Sequence, residues 1–402
     1  LIEASLIYGG NLSEQNVTYN DNEKMIALAK WILDFQSVDD QVKSGAENWV
    51  TVSIQDNGVV DLIPTTHADL IGTQITQARY KFGDFDNRDE TLDSKYFKEF
   101  KVAFQTDTGI NFNVMVSVLQ FLACYGIVKE LKRRHKVTVI GNVVEAPMDE
   151  LAMEFDLQTT LSIENFYQVI KFLCLDSSSL TDGSGLIPTW EKKRRSNKYV
   201  AKPIVFFNNK IVYEPVNLNN TLSNWSVGAY NFTLPYQLNM ASSKRVLDRW
   251  KKEYENIIVQ NIASLFLPNR FITHVNKELY KLDKKGRHPR NLGDYDVIAI
   301  APQRHEVWIV EVKYLRLDQT ASENIESQSE YFLDKTAKGE KFLKRVNYFE
   351  AHVDDIMHNI GFNGHFTVRP YFVANKIVRS QFKEYPFSIL GFNEFRAVPE
   401  LQ

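Results

Sequence analysis

The sequence predicts an α/β protein in two parts, and three observations carry that prediction. Residues 1–240 mix strand and helix signals and read as an α+β region, with two alternating runs around Asp56-Asn57-Gly58 near its start. From 241 to 402 a long amphipathic stretch, Ser242–Phe266, is followed by three strand-like runs, another long helix and a further strand. Between the parts, Asn217–Gln237 is rich in Asn, Ser and Thr without helical periodicity, and it is the expected linker or peripheral loop. A chain of 402 residues, 44% hydrophobic and 24% charged, can bury the cores such a layout needs.

Several function classes drop out early. The longest apolar stretch, Met115–Val128, contains Gln120 and falls short of the roughly 20 residues a bilayer span requires, so no membrane partner is expected. Cys124 and Cys174 both lie in apolar runs read as helical; they are expected to be packed free thiols of a cytoplasmic protein. The chain starts at Leu1 with no signal-peptide pattern, which leaves an upstream domain or a partner subunit open. There is no phosphate-binding Gly-rich loop, no paired-Cys zinc spacing and no His-Glu-x-x-His helix. The net charge of −3 does not suggest a polyanionic partner, but its distribution does: residues 241–313 hold 14 Lys or Arg against 9 Asp or Glu. A solvated basic face is the plain alternative.

Within the first part, a helix is expected around Glu23–Phe35, then a hairpin of Trp49–Ile54 and Val59–Ile63, for which Asn-Gly is a strong turn signal. Ile110–Arg134 reads as one helix ending in Lys129, Lys132, Arg133 and Arg134, charges suited to a helix C-terminus. Two shorter helices follow, Met148–Phe155 and Ser162–Leu175, the second with Ser162 as N-cap. The basic run Lys192-Lys193-Arg194-Arg195 is a candidate nucleic-acid contact. Beyond it, Pro203–Tyr213 folds as two short strands about Asn208-Asn209. Helix, turn, helix and hairpin in that order resemble a winged helix.

The second part is more readable. Leu247, Trp250, Tyr254, Ile257, Ile258 and Leu265 form an apolar stripe along Ser242–Phe266, which Pro268-Asn269 ends. Arg270–Glu278 is a strand candidate. Lys284-Lys285-Gly286-Arg287-His288-Pro289-Arg290 is a basic loop whose Lys285, Arg287 and Arg290 are candidate nucleic-acid contacts. Then come Gly293-Asp294-Tyr295-Asp296, a strand Val297–Ala301, a turn Pro302-Gln303-Arg304-His305 and a strand Val307–Lys313. A turn centred between Gln303 and Arg304 pairs Pro302 with His305, and the same register sets Asp296 opposite Glu311, with facing Cβ atoms about 5 Å apart. Side chains alternate along a strand, so Glu311 and Lys313 share a face and Val312 takes the other. Trp308-Ile309-Val310 and Val312 belong to a buried strand, where Glu and Lys need partners or a function. Downstream, Lys338–Ile360 reads as a helix closed by Gly361, Phe366–Val373 as a strand and Phe387–Leu390 as an edge strand. Lys338, Lys341, Lys344 and Arg345 either contact phosphates or make a solvated face.

Two facing carboxylates repel unless a hard cation lies between them, and Mg²⁺ favours one or two carboxylates completed by water and phosphate oxygens. Such an ion polarises a phosphodiester and lowers the pKa of a bound water, while Lys313 would orient that water or stabilise developing negative charge. The alternative is a strand-end ion pair of Glu311 with Lys313, Asp296 capping a turn.

Gly293-Asp294-Tyr295-Asp296, followed fifteen residues after Asp296 by Glu311-Val312-Lys313, resembles the motif of the PD-(D/E)XK nuclease superfamily. An acid-x-Lys triplet alone means little, since Asp93 with Lys95 and Glu99 with Lys101 also make one. The resemblance covers about residues 242–395 and implies a restriction-endonuclease-like mixed sheet flanked by helices. It implies Asp296 and Glu311 as metal-binding acids, Lys313 as catalytic lysine, and a glutamate of the leading helix, Glu255 or else Glu253, as a further metal ligand. Tyr295 stands where the family's name motif has Pro, and Asp294 is an alternative acid. The implied activity is Mg²⁺-dependent endonucleolytic cleavage of DNA, with Mn²⁺ as a substitute, in a setting such as restriction or phage defence. RNA stays open as substrate, as do a homodimer and a nuclease-like protein that binds DNA or a partner without cutting.

Overall fold

The computed structural model describes residues 24, 50–54, 60–64, 89–124, 137–140, 143–175, 181–182, 185–186, 201–207, 209–234, 238–315, 327, 329–375 and 383–401. The architecture is mixed α/β, with two five-stranded sheets flanked by helices. The chain divides into two compact units, residues 1–33 with 89–250 and residues 34–88 with 251–402. No helix among the described residues is long and apolar enough to cross a membrane. The expected helix at 23–35 lies outside the described residues apart from Lys24, and the basic run Lys192–Arg195 lies wholly outside them. β1 (Val50–Ile54) and β2 (Val60–Pro64) pair antiparallel as the expected hairpin, Ile54 facing Val60.

In the first unit, α1 (Glu90–Thr108) was not anticipated, although its signals are ordinary. Asp89 caps it, accepting the N–H groups of Thr91 and Leu92, and Gly109 ends it in the left-handed region at φ 74°, where glycine carries no Cβ strain. Tyr96, Phe100, Ala103 and Phe104 bury one face. α2 (Phe112–Ala123) is shorter than the predicted Ile110–Arg134 helix: Cys124 leaves helical geometry at ψ 105°. Cys124 is therefore exposed at a helix end, and Cys174 sits half-buried at a strand start, so neither is a thiol packed inside a helix. α3 (Met148–Gln158) and α4 (Ile163–Leu173, capped by Ser162) fall where expected.

The hairpin of 204–213 forms, but inside a larger sheet. β3 (Thr138–Ile140), β4 (Val143–Pro147), β5 (Cys174–Leu175), β8 (Ile204–Phe207) and β9 (Lys210–Tyr213) order as β3-β4-β9-β8-β5; the small hairpin of β6 (Thr181–Asp182) and β7 (Gly185–Leu186) stands apart. The linker expected at Asn217–Gln237 is overturned over most of its length by α5 (Pro215–Tyr230). Its Asn-rich composition is a poor helix former, but Leu218, Thr221, Trp225 and Ala229 recur at helical spacing and are all fully buried. Trp225 packs edge-on to Phe104 at 5.3 Å, and burial of this ring outweighs local propensity.

α6 (Ala241–Leu265) contributes residues to each unit, the division falling after Trp250. In the second unit, β10 (Ile272–Glu278), β11 (Asp294–Ala301), β12 (Glu306–Lys313), β13 (Thr367–Ala374) and β14 (Ser388–Gly391) lie in chain order, antiparallel through β12 and parallel beyond it. The 22-residue helix α7 (Lys338–Asn359) connects the parallel pair β12 and β13. Its Phe342, Val346, Phe349, Val353 and Ile356 form one core with Ile298, Ile300, Val307 and Ile309 of the sheet. On the other face Trp308 packs against Phe266, Tyr371 and Phe395. Alternation along β12 thus puts Glu311 and Lys313 on the side of α7.

Candidate active site

The β11–β12 register follows the predicted hairpin. Val297 faces Val310, Ile298 faces Ile309 and Ala301 faces Glu306, so one further step sets Asp296 opposite Glu311. The turn tightens through Pro302–Arg304, and His305 takes the left-handed conformation at φ 50°. At the strand end Asp296 Oδ2 accepts the backbone N–H of Val312 at 2.7 Å. Lys313 Nζ stands 2.8 Å from Glu311 Oε1, 3.3 Å from Asp296 Oδ2 and 2.8 Å from the carbonyl oxygen of Val312. One ammonium thus sits among three oxygens.

Burial sets the electrostatics. Glu311 is only 3% exposed. Loss of solvent and then the charge of Glu311 push the Asp296 carboxyl up to about 7, against the pull of Lys313, the Val312 N–H and Arg345. Burial alone would lower the Lys313 ammonium, but Glu311, Asp296 and Glu255 outweigh it and raise it above its ordinary value.

Of the two leading-helix candidates, the structure brings Glu255 to the site. Its Oε1 accepts the backbone N–H of Tyr314 at 3.3 Å, beside Lys313, whereas Glu253 is exposed. The Asp294 side chain is exposed, and what it lends the site is its carbonyl oxygen, which accepts Arg345 Nη1 at 2.6 Å.

The sequence groups Arg345 with Lys338, Lys341 and Lys344 as a phosphate contact or solvated residue, but its place is different. Its Nη2 makes an ion pair with Glu311 Oε2 at 2.5 Å, and its guanidinium lies over the Tyr295 and Phe342 rings at 5.9 and 5.8 Å. The signal was its position: three residues after Phe342 and four before Phe349, Arg345 falls on the apolar stripe of α7.

The basic loop is held from beneath. Asp283, 1% exposed, accepts the N–H groups of Lys285 and Gly286, Asn359 Nδ2 at 2.9 Å and His288 Nε2 at 2.8 Å. His288 Nδ1 in turn meets the Tyr348 hydroxyl at 3.1 Å. Burial would raise the Asp283 carboxyl, but Asn359, His288 and the two amides prevail and hold it low. Lys284, Lys285, Arg287 and Arg290 are all exposed on this anchored loop. The cations are legible in the sequence; the anchor is not, because it depends on Asn359 and Tyr348, far along the chain.

Among the described residues no group of three or more His, Cys, Asp or Glu side chains is arranged to hold a metal ion. Asp296 and Glu311 nevertheless fit a hard cation in donor type: with the Val312 carbonyl they offer three oxygens around one point now taken by an ammonium. Comparison with protein-family models, with curated proteins and with solved structures returns no match.

Proposed function

We propose that the chain is a Mg²⁺-dependent endonuclease of the PD-(D/E)XK type acting on DNA. The observation that carries this reading is the convergence of Asp296, Glu311 and Lys313 at one strand end, in a register that requires no family to justify it. Asp296 and Glu311 would hold the ion, with Glu255 at the side of Lys313 as the third acid. Bound there, the ion would supply Lewis acidity toward a phosphodiester and an activated water. Lys313, kept protonated by its carboxylate neighbours, donates hydrogen bonds and stabilises charge on the non-bridging oxygens.

Contact with the DNA backbone is assigned to the loop 284–290, whose Lys285, Arg287 and Arg290 are exposed and whose base is fixed by Asp283 and His288. In the first unit α3, α4 and the β8–β9 hairpin follow one another as the winged-helix resemblance in the sequence requires, within a five-stranded sheet, and this order supports a recognition role for the unit. The exposed side chains of α4, Glu164, Gln168 and Lys171, carry no net charge, so this helix offers no electrostatic hold on phosphate.

The test is cleavage of plasmid DNA with Mg²⁺ or Mn²⁺ by the whole chain and by Asp296→Ala and Lys313→Ala proteins shown to be folded. Metal-dependent cutting that both variants lose supports the reading; cutting that both retain removes it. Salt-sensitive DNA binding with no turnover in either metal leaves the alternative, a nuclease-like protein that binds without cutting.

A further inference from the structure

Four ionisable side chains meet at the strand end, and with all four ionised their formal sum is zero: Asp296 and Glu311 against Lys313 and Arg345. Arg345 is built in rather than folded over. Its side chain is 10% exposed, its Nη1 is held by the Asp294 carbonyl, and its own carbonyl accepts the Tyr295 hydroxyl at 3.1 Å. Gly293 beside it stands at φ 80°, a conformation that favours glycine, while a Cβ there would meet Nη1 at 3.6 Å, an ordinary contact. Leaving Glu311 would mean leaving the Asp294 carbonyl as well, and the contacts of the guanidinium with the Tyr295 and Phe342 rings. Lys313, 20% exposed, is the more open of the two cations.

We propose that Arg345 is an internal counter-cation that keeps the Asp296–Glu311 pair neutral in the absence of nucleic acid, so that a divalent ion is held firmly only together with a phosphodiester. The inference rests on the nuclease reading for the identity of the second ligand. A divalent ion entering a neutral, half-buried site leaves an excess of two positive charges, which Glu255 offsets only in part, and in a medium of low dielectric that excess is costly. A phosphodiester brings the missing negative charge. Arg345 Nη2 also stands against Glu311 Oε2 as an ion pair rather than in hydrogen-bond geometry, and Oε1 is the oxygen beside Lys313. Coupling of this kind is reciprocal: DNA must strengthen ion binding by the factor by which the ion strengthens DNA binding.

The test is calorimetric titration of Ca²⁺, a hard cation with the same oxygen preference, into the full chain, alone and with a short DNA duplex that a gel shows to stay intact. The wild type is expected to bind Ca²⁺ about tenfold more tightly with the duplex present. Arg345→Met should bind Ca²⁺ about tenfold more tightly than wild type without DNA and show a smaller effect of the duplex, while Arg345→Lys, which keeps the charge, should stay within about twofold of wild type. A merely structural arginine would weaken ion binding when removed, not strengthen it. Equal wild-type affinity with and without the duplex overturns the inference, and so does a folded Arg345→Met protein that binds Ca²⁺ no more tightly than wild type. Should Arg345→Met fail to fold, Arg345→Gln, which also removes the charge, takes its place in the same titration. A chain that shows both effects yet never cuts DNA keeps this inference and loses the nuclease reading; one that cuts DNA while Arg345→Met binds no tighter does the reverse.

Discussion

The Asp296 carboxylate accepts the backbone N–H of Val312 at 2.7 Å, so an acid on one strand is fixed by the peptide that separates Glu311 from Lys313 on the next. The three side chains are thereby locked to one another by the ladder as well as by their charges. Removing the ammonium leaves Asp296 buried with its carboxylate neighbour, whereas removing the Asp296 charge relieves that pair. Lys313→Met is expected to cost about 3 kcal/mol at neutral pH, and Asp296→Asn less than about 1 kcal/mol or nothing, whereas on the nuclease reading both should abolish cleavage. Urea unfolding of the metal-free proteins checks the order, and a Lys313→Met protein as stable as wild type would show that the pair is not held by this cation.

A pH dependence follows from the same burial. With its carboxyl pushed up from 3.8 to about 7, native Asp296 keeps a proton that the unfolded chain has already lost, so folding takes up a proton in that window. Its contribution to stability is therefore present at low pH and falls as pH rises toward about 7. Asparagine does not titrate. The stability of metal-free Asp296→Asn relative to wild type should thus be greater at about pH 7.5 than at about pH 5. Denaturant midpoints of the two proteins at both pH values decide it, a constant difference ruling out a raised Asp296.

Glu255 and Glu253 separate cleanly. Glu255→Gln keeps an acceptor for the Tyr314 N–H but removes the negative charge that acts on Lys313, so cleavage should fall roughly 10- to 100-fold in a folded protein. Glu253→Gln alters an exposed side chain and should leave the rate within about twofold of wild type. Initial rates at saturating Mg²⁺ make the comparison; equal losses would move the metal-side acid away from Glu255.

The hairpin was legible because two local rules agree over a short distance. A four-residue turn and strict alternation leave one register for Asp296 and Glu311, and the helix boundaries at Pro268 and Gly361 are likewise local signals. The α5 helix was hidden because Asn, Ser and Thr dominate its composition while Trp225 is stabilised by Phe104, a residue far away in sequence. The two-residue strand Cys174–Leu175 exists only through its parallel pairing with Ile204 and Val205, which no nearby residue specifies. Arg345 was read with its lysine neighbours because charge is the louder signal in Lys338–Arg345, although its place on the apolar stripe marked it as buried.

The loop 284–290 yields the last prediction, because its cations and its anchor can be separated by mutation. Arg287 is exposed and makes no structural demand on the fold, so Arg287→Ala should leave stability within about 0.5 kcal/mol of wild type. If it contacts a phosphate, the variant should bind duplex DNA more weakly across all sequences, and the slope of log Kobs against log salt should shrink by about 1. Asp283→Ala acts from the other side. It strands His288, Asn359 and two backbone N–H groups in a buried place and should cost about 3 kcal/mol at neutral pH. Because the Asp283 carboxyl is held low in the native state, its stabilisation is complete above the ordinary carboxylate range and is lost as pH falls below 3.8 through its lowered native value. The cost of the alanine should shrink over that same acid window. Asp283→Ala still carries every cation of the loop, so a DNA affinity reduced in the folded variant would show that the loop must be held rigid to bind, and an unchanged affinity that the cations act as a loose tether.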